Sequence, residues 1–134
     1  MDQRIRSMAG DLRKMSSGEA ADWLMTHYPA DSENVGEALN IAFHLSWKKA
    51  DQLRLAEHYL TRLPFASARP YEVFASILPV HRLVAVLKER MPADEARRDL
   101  LRYLAGPVLT RAVKTARDQE AVQAFMSEVK AGCG

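Results

Sequence analysis

Apolar residues recur at intervals of three and four along nearly the whole chain, and this helical period limits the possible folds more than any other feature. The first stripe is Ile5, Met8, Leu12 and Met15, with charged residues filling most positions between them. No segment shows the strict alternation of apolar and polar residues that indicates a half-buried strand. We therefore expect an all-α fold.

Helix boundaries are indicated by capping residues in the first half and by prolines in the second. Ser16 with Glu19 and Thr115 with Asp118 have the spacing of capping boxes. Further starts are predicted from cap residues at Asp31-Ser32 and Ser46, and from prolines preceding apolar stripes at Pro70, Pro79, Pro92 and Pro107. These signals predict about nine short helices.

Short helices with tight corners do not suit a simple four-helix bundle, which needs longer rods. Two arrangements remain: an irregular globular helical domain, or a short HEAT-like stack of helical hairpins. The hairpin lengths are unequal and no residue signature repeats between them, which counts against the stack. In either case we expect a single helical domain over residues 1–131 and a flexible C-terminal tail over 132–134.

Composition is that of a folded soluble protein. Of 134 residues, 48% are hydrophobic and 27% are charged, with a net charge of +2. The start of the chain lacks the continuous apolar run of a signal peptide or membrane anchor. Cys133 is the single cysteine, so no disulfide can form within one chain. We expect a cytoplasmic protein with no membrane contact.

No arrangement of residues predicts catalysis, metal binding or a cofactor. The four histidines are His27, His44, His58 and His81. None of them has a second histidine or a glutamate at the i, i+3 or i, i+4 spacing that is typical of helical metal sites. Gly-x-Ser-x-Gly and glycine-rich phosphate loops are missing from the sequence. We therefore expect a protein that is not an enzyme.

Binding to another protein is the leading functional prediction. Aromatic and arginine side chains are common anchors of interfaces, and several collect near two predicted corners. The candidate partner-binding residues are Trp47, Lys48, Lys49, Arg69 and Tyr71. The concrete form that we expect is a bacterial immunity or antitoxin protein that neutralises a toxin by surface complementarity, an expectation based on analogy between proteins of this class.

Nucleic-acid binding or another regulatory role is the alternative. From Arg82 to Arg117, nine Lys or Arg residues face four acidic ones. A positive ridge able to contact phosphates would comprise Arg97, Arg98, Arg102, Arg111, Lys114 and Arg117. The competing interpretation is a solvated helix face on which these cations pair with acids three or four residues away.

Overall fold

A computed structural model describes residues 3–61 and 63–131, and within them the secondary structure is entirely helical. The eight helices are α1 (Gln3–Leu12), α2 (Ser17–His27), α3 (Val35–Phe43), α4 (Lys49–Tyr59), α5 (Arg69–Ile77), α6 (Val80–Glu89), α7 (Glu95–Ala112) and α8 (Ala116–Ala131). The all-α prediction is confirmed. The predicted tail at 132–134 lies outside the described residues.

The helix count differs from the predicted nine because α7 continues through Pro107. Proline removes one backbone hydrogen bond and crowds the carbonyl four residues earlier, here that of Tyr103. Both residues lie on the solvent side of α7, where water can bind the freed carbonyl. Leu101, Ala105 and Leu109 form one unbroken buried stripe across this position, so packing holds the two segments in line.

The helix starts predicted from capping residues agree with the structure in part. Ser16 accepts the N–H of Glu19, whose carboxylate accepts the Ser16 N–H in return, which confirms the first capping box. The cap predictions at Asp31-Ser32 and Ser46 are wrong, because α3 is preceded by Asn34 and α4 by Lys48. The Ser32 hydroxyl accepts the Asn34 N–H before the helix begins.

Each helix packs against the helix two positions further along the chain, giving an odd series (α1, α3, α5, α7) and an even series (α2, α4, α6, α8). Buried side chains from all eight helices form one continuous hydrophobic core. This neighbour order is the one that stacked helical hairpins produce.

Within the first half of the chain the stacked helices run parallel. At the starts of α2 and α4 the Lys48 N–H donates to Ser17 Oγ at 2.9 Å, and at their ends the Tyr59 hydroxyl donates to the Tyr28 carbonyl at 2.8 Å. Similarly, an ion pair between Arg4 and Glu37 joins the starts of α1 and α3.

The second half repeats this arrangement, but the two halves meet differently. His81 contacts Asp118 at the starts of α6 and α8, and Lys88 pairs with Glu128 towards their ends. Between the halves, the Arg69 guanidinium at the start of α5 lies 4.9 Å from the centre of the Phe43 ring at the end of α3. The start of α5 therefore contacts the end of α3 at the point where the two halves of the chain meet.

None of the described helices is long and apolar enough to span a bilayer.

Candidate functional site

A groove of about 640 Å³ separates α4 from α6 on the surface of the even series. Its lining comes from one stripe on each helix: Lys49, Ala50, Leu53 and Glu57 on α4, and Arg82, Ala85, Val86 and Glu89 on α6. We call this feature the α4–α6 groove.

The groove exists because α4 turns a different face to the core than its sequence predicts. The helical spacing of Ala50, Leu53, Ala56, Tyr59 and Leu60 predicts that all five face inward, but the buried positions of this helix are Asp51, Leu55, Ala56 and Tyr59, so Ala50 and Leu53 are not among them. Leu53 is 39% exposed and Ala50 is also exposed. Since positions 50, 53 and 57 share one helical face, the rotation presents a complete stripe to solvent.

Hydrogen bonds at Asp51 help to explain this rotation. Its carboxylate accepts the Arg54 guanidinium at 2.9 Å, and Arg54 also pairs with Asp22 of α2. Together they bring the polar side of α4 against α2. The buried Tyr59 hydroxyl donates to carbonyls at the end of α2, and burial raises its pKa well above the ordinary value.

Charges of both signs surround the apolar floor of the groove. Lys49 and Arg82 supply two cations, and Glu57 and Glu89 supply two carboxylates. Among the described residues, Glu89 alone of these four has an ion-pair partner within 4.0 Å, namely Arg90. An apolar strip bordered by available charges can accept an amphipathic segment of another protein.

Two of the predicted partner-binding residues are buried, so the expectation that they are exposed is wrong. Trp47 is 8% exposed and its indole N–H donates to the Ala42 carbonyl at 3.0 Å. Tyr71 is fully buried, its hydroxyl accepts the Phe65 N–H at 3.0 Å, and burial raises its pKa. In both cases the polar atom has a backbone partner, so the aromatic ring can be buried at little cost.

The other predicted partner-binding residues lie on the surface. Lys49 borders the α4–α6 groove, while Lys48 is exposed immediately before α4. Arg69 is exposed over the Phe43 ring and pairs with Glu72 at 3.8 Å. The structure thus brings one of the five predicted residues, Lys49, to the groove.

Half of the predicted basic ridge is engaged by groups in the first turns of α7 and in the residues just before it. Arg97 and Arg102 lie 3.5 and 3.7 Å from Asp94 and Asp99, respectively. Arg98 instead donates to the carbonyl oxygens of Pro92 and Ala93, at 3.2 and 2.8 Å. Each of these three arginines therefore has a partner of its own near the start of α7.

The other half of the ridge, Arg111, Lys114 and Arg117, is exposed where α7 meets α8; we call it the basic corner. In the part of the chain that the structure describes, none of the three has an ion-pair partner within 4.0 Å. The nucleic-acid alternative therefore rests on three cations rather than six.

Beside the basic corner lies a buried carboxylate whose partners the sequence did not reveal. Asp118 was predicted to cap α8 with Thr115, and its N–H does donate to Thr115 Oγ1 at 3.0 Å. Its carboxylate, however, accepts the backbone N–H groups of His81 and Lys114 and the His81 side chain, at 3.0, 3.1 and 2.8 Å. His81 and Asp118 are 37 positions apart, so no spacing rule links them.

The electrostatics of this pair follow from those contacts. Burial alone would raise the pKa of Asp118, but the hydrogen bonds from His81 and Lys114 hold it at about 2. Because Pro79 precedes α6 and has no capping side chain, Asp118 acts as the cap of α6 from the neighbouring helix. Across the described residues, no group of three or more His, Cys, Asp or Glu side chains could hold a metal ion.

Comparisons with protein-family models, curated proteins and solved structures found no significant match. The functional interpretation therefore depends on the geometry of the α4–α6 groove and of the basic corner.

Proposed function

We propose that this chain is a non-catalytic binding protein that receives an amphipathic helix of another protein in the α4–α6 groove. The observation that supports this proposal best is the solvent-facing apolar stripe of Ala50, Leu53 and Ala85 over the buried Val86. A continuous apolar stripe along a surface groove, rimmed by polar residues, is a common mark of protein interfaces.

The dimensions of the groove favour a helix as its occupant. Lys49 and Glu57 are eight residues apart on α4, so the lined part of the helix is about 12 Å long. This corresponds to roughly two turns of a partner helix, whose apolar side chains at i, i+3 or i+4, and i+7 would lie along the floor.

The charged residues of the groove also restrict the sequence of the partner helix. Its helix should carry acidic residues that meet Lys49 and Arg82, and basic residues that meet Glu57 and Glu89. Charges at such a rim contribute mainly to specificity and association rate, while the apolar floor supplies most of the affinity.

An inhibitor of the immunity or antitoxin type is the concrete form of this function that we propose. In that form, the occupant would be a helical segment of a toxin encoded next to this chain. Binding to such a protein, with loss of its toxicity, is the direct test; a neighbouring toxin that binds elsewhere on the surface would contradict the assignment to the groove.

Site-specific photo-crosslinking tests the groove itself. A photoreactive residue at Ala85 should crosslink to one helical segment of the partner that has an apolar stripe and both charge signs. The matched control is the same residue at Leu100 on α7, which is 41% exposed but lies outside the groove. Equal crosslinking of the same segment from both positions, or crosslinking to a segment without an apolar stripe, would contradict the proposal.

A further inference from the structure

A second cleft, of about 410 Å³, lies where the corner between α5 and α6 meets the corner between α7 and α8. Its walls include the apolar side chains of Leu78 and Val80, and its polar groups include His81, Lys114 and Thr115. The volume falls in the range of small-molecule sites. We call it the His81 cleft.

The carboxylate of Asp118 also borders this cleft, but its oxygens are already occupied. They accept three N–H groups from His81 and Lys114, and the side chain is 4% exposed. Asp118 thus satisfies donors at the start of α6 and just before α8, so these donors do not constitute the ligand site.

The orientation of His81 leaves one ring nitrogen for a ligand. An ionised carboxylate can only accept, so Nδ1 of His81 carries the proton that is donated to Asp118 at 2.8 Å. Nε2 lies on the opposite side of the ring. It can donate a hydrogen bond only when the imidazole is protonated, because the neutral ring has its single N–H at Nδ1.

Two further basic residues belong to this region of the surface. Lys114 lines the same cleft as His81, and Arg111 borders a shallower cleft that shares Ala75, Ser76 and Ala112 with it. The charged and titratable groups facing His81 are Asp118 from α8 and Lys114 from the preceding corner, while the cleft residues contributed by α5 carry no ionisable group. Glu72, beside Arg111, pairs with Arg69.

We propose that the His81 cleft binds the phosphoryl group of a small molecule. Protonated His81 donates from Nε2, Lys114 supplies a second positive contact, and the Thr115 hydroxyl, which accepts from Asp118 N, keeps its own proton for donation. The apolar walls at Leu78 and Val80 hold the rest of the ligand. A concave site with only two basic residues on its lining, His81 and Lys114, favours a small phosphorylated ligand over a long polyanion.

Isothermal titration with sulfate tests the His81 contact. His81→Asn keeps an N–H for Asp118 but lacks Nε2, so we expect it to weaken sulfate binding about ten-fold while leaving the unfolding midpoint close to that of the wild type. Unchanged sulfate binding by this variant would overturn the proposal.

Two further arms identify the ligand class. Adenosine monophosphate should bind more tightly than sulfate, and Lys114→Ala should weaken it about ten-fold while Arg97→Ala has no effect. Tighter binding of a single-stranded oligonucleotide than of adenosine monophosphate would overturn the small-molecule assignment in favour of nucleic acid. Failure of sulfate or adenosine monophosphate to bind would also refute the site, without bearing on the α4–α6 groove.

Discussion

Replacing Asp118 with asparagine should reveal how strongly one buried carboxylate holds α6 against α8. The carboxylate accepts three N–H groups, whereas an asparagine amide keeps one oxygen and must turn its NH2 towards a donor. The pKa of Asp118 is about 2, against an ordinary value of 3.8. At 1.36 kcal/mol per pKa unit, this difference corresponds to about 2 kcal/mol of stability.

The pH dependence has a definite sign. Because the pKa is lowered in the folded state, the stabilisation is fully present above about pH 4 and is lost as the pH falls towards 2. In urea unfolding, Asp118→Asn should therefore cost about 2 kcal/mol at neutral pH, and the gap from the wild type should narrow at about pH 2.

The matched control is Asp99→Asn, which removes an exposed carboxylate 3.7 Å from Arg102 and should cost less than about 0.5 kcal/mol. A gap between the wild type and Asp118→Asn that stays constant from neutral to acid pH would refute the reasoning, because it would show that Asp118 is not held ionised by its contacts.

Two other substitutions test the fold. Tyr59→Phe removes a buried hydroxyl that donates at 2.8 Å to the Tyr28 carbonyl and should cost about 1–2 kcal/mol in urea unfolding; Tyr103→Phe, at a residue 76% exposed, should change little. An equal loss of stability in Tyr59→Phe and Tyr103→Phe would contradict the buried hydrogen bond of Tyr59. Pro107→Ala restores a backbone N–H within α7 and should raise stability by about 1 kcal/mol, whereas a loss would indicate that a new helix begins at Pro107.

Much of the fold could be predicted from the chain because helical period and capping act locally. The capping box from Ser16 to Glu19 and the buried stripes of α6 agree with the structure. The predicted helix start at Pro107 is wrong because the continuous packing of α7 outweighs the local cost of a proline on its exposed side. Local rules therefore predicted most helices, but they did not predict that the segments before and after Pro107 form one helix.

The candidate sites were harder to predict because they depend on which face each helix turns inward. Leu53 fits an apolar stripe with Ala56 and Leu60, and contacts between α4 and α2, distant in sequence, turn it outward. Trp47 and Tyr71 looked like surface anchors, yet each finds a backbone hydrogen-bond partner in the interior. Residue type alone therefore suggested that Trp47 and Tyr71 bind a partner, whereas tertiary contacts determine which side chains are exposed and able to do so.

The affinity of the crosslinked partner helix for two matched variants tests the central claim most directly. Leu53→Glu places a charge on the floor of the α4–α6 groove, and Leu100→Glu places the same charge at a similarly exposed position on α7. Fluorescence anisotropy with the labelled helix should show at least about ten-fold weaker binding to Leu53→Glu and wild-type binding to Leu100→Glu. Equal affinity of the helix for both variants and the wild type would contradict the α4–α6 groove as the binding surface.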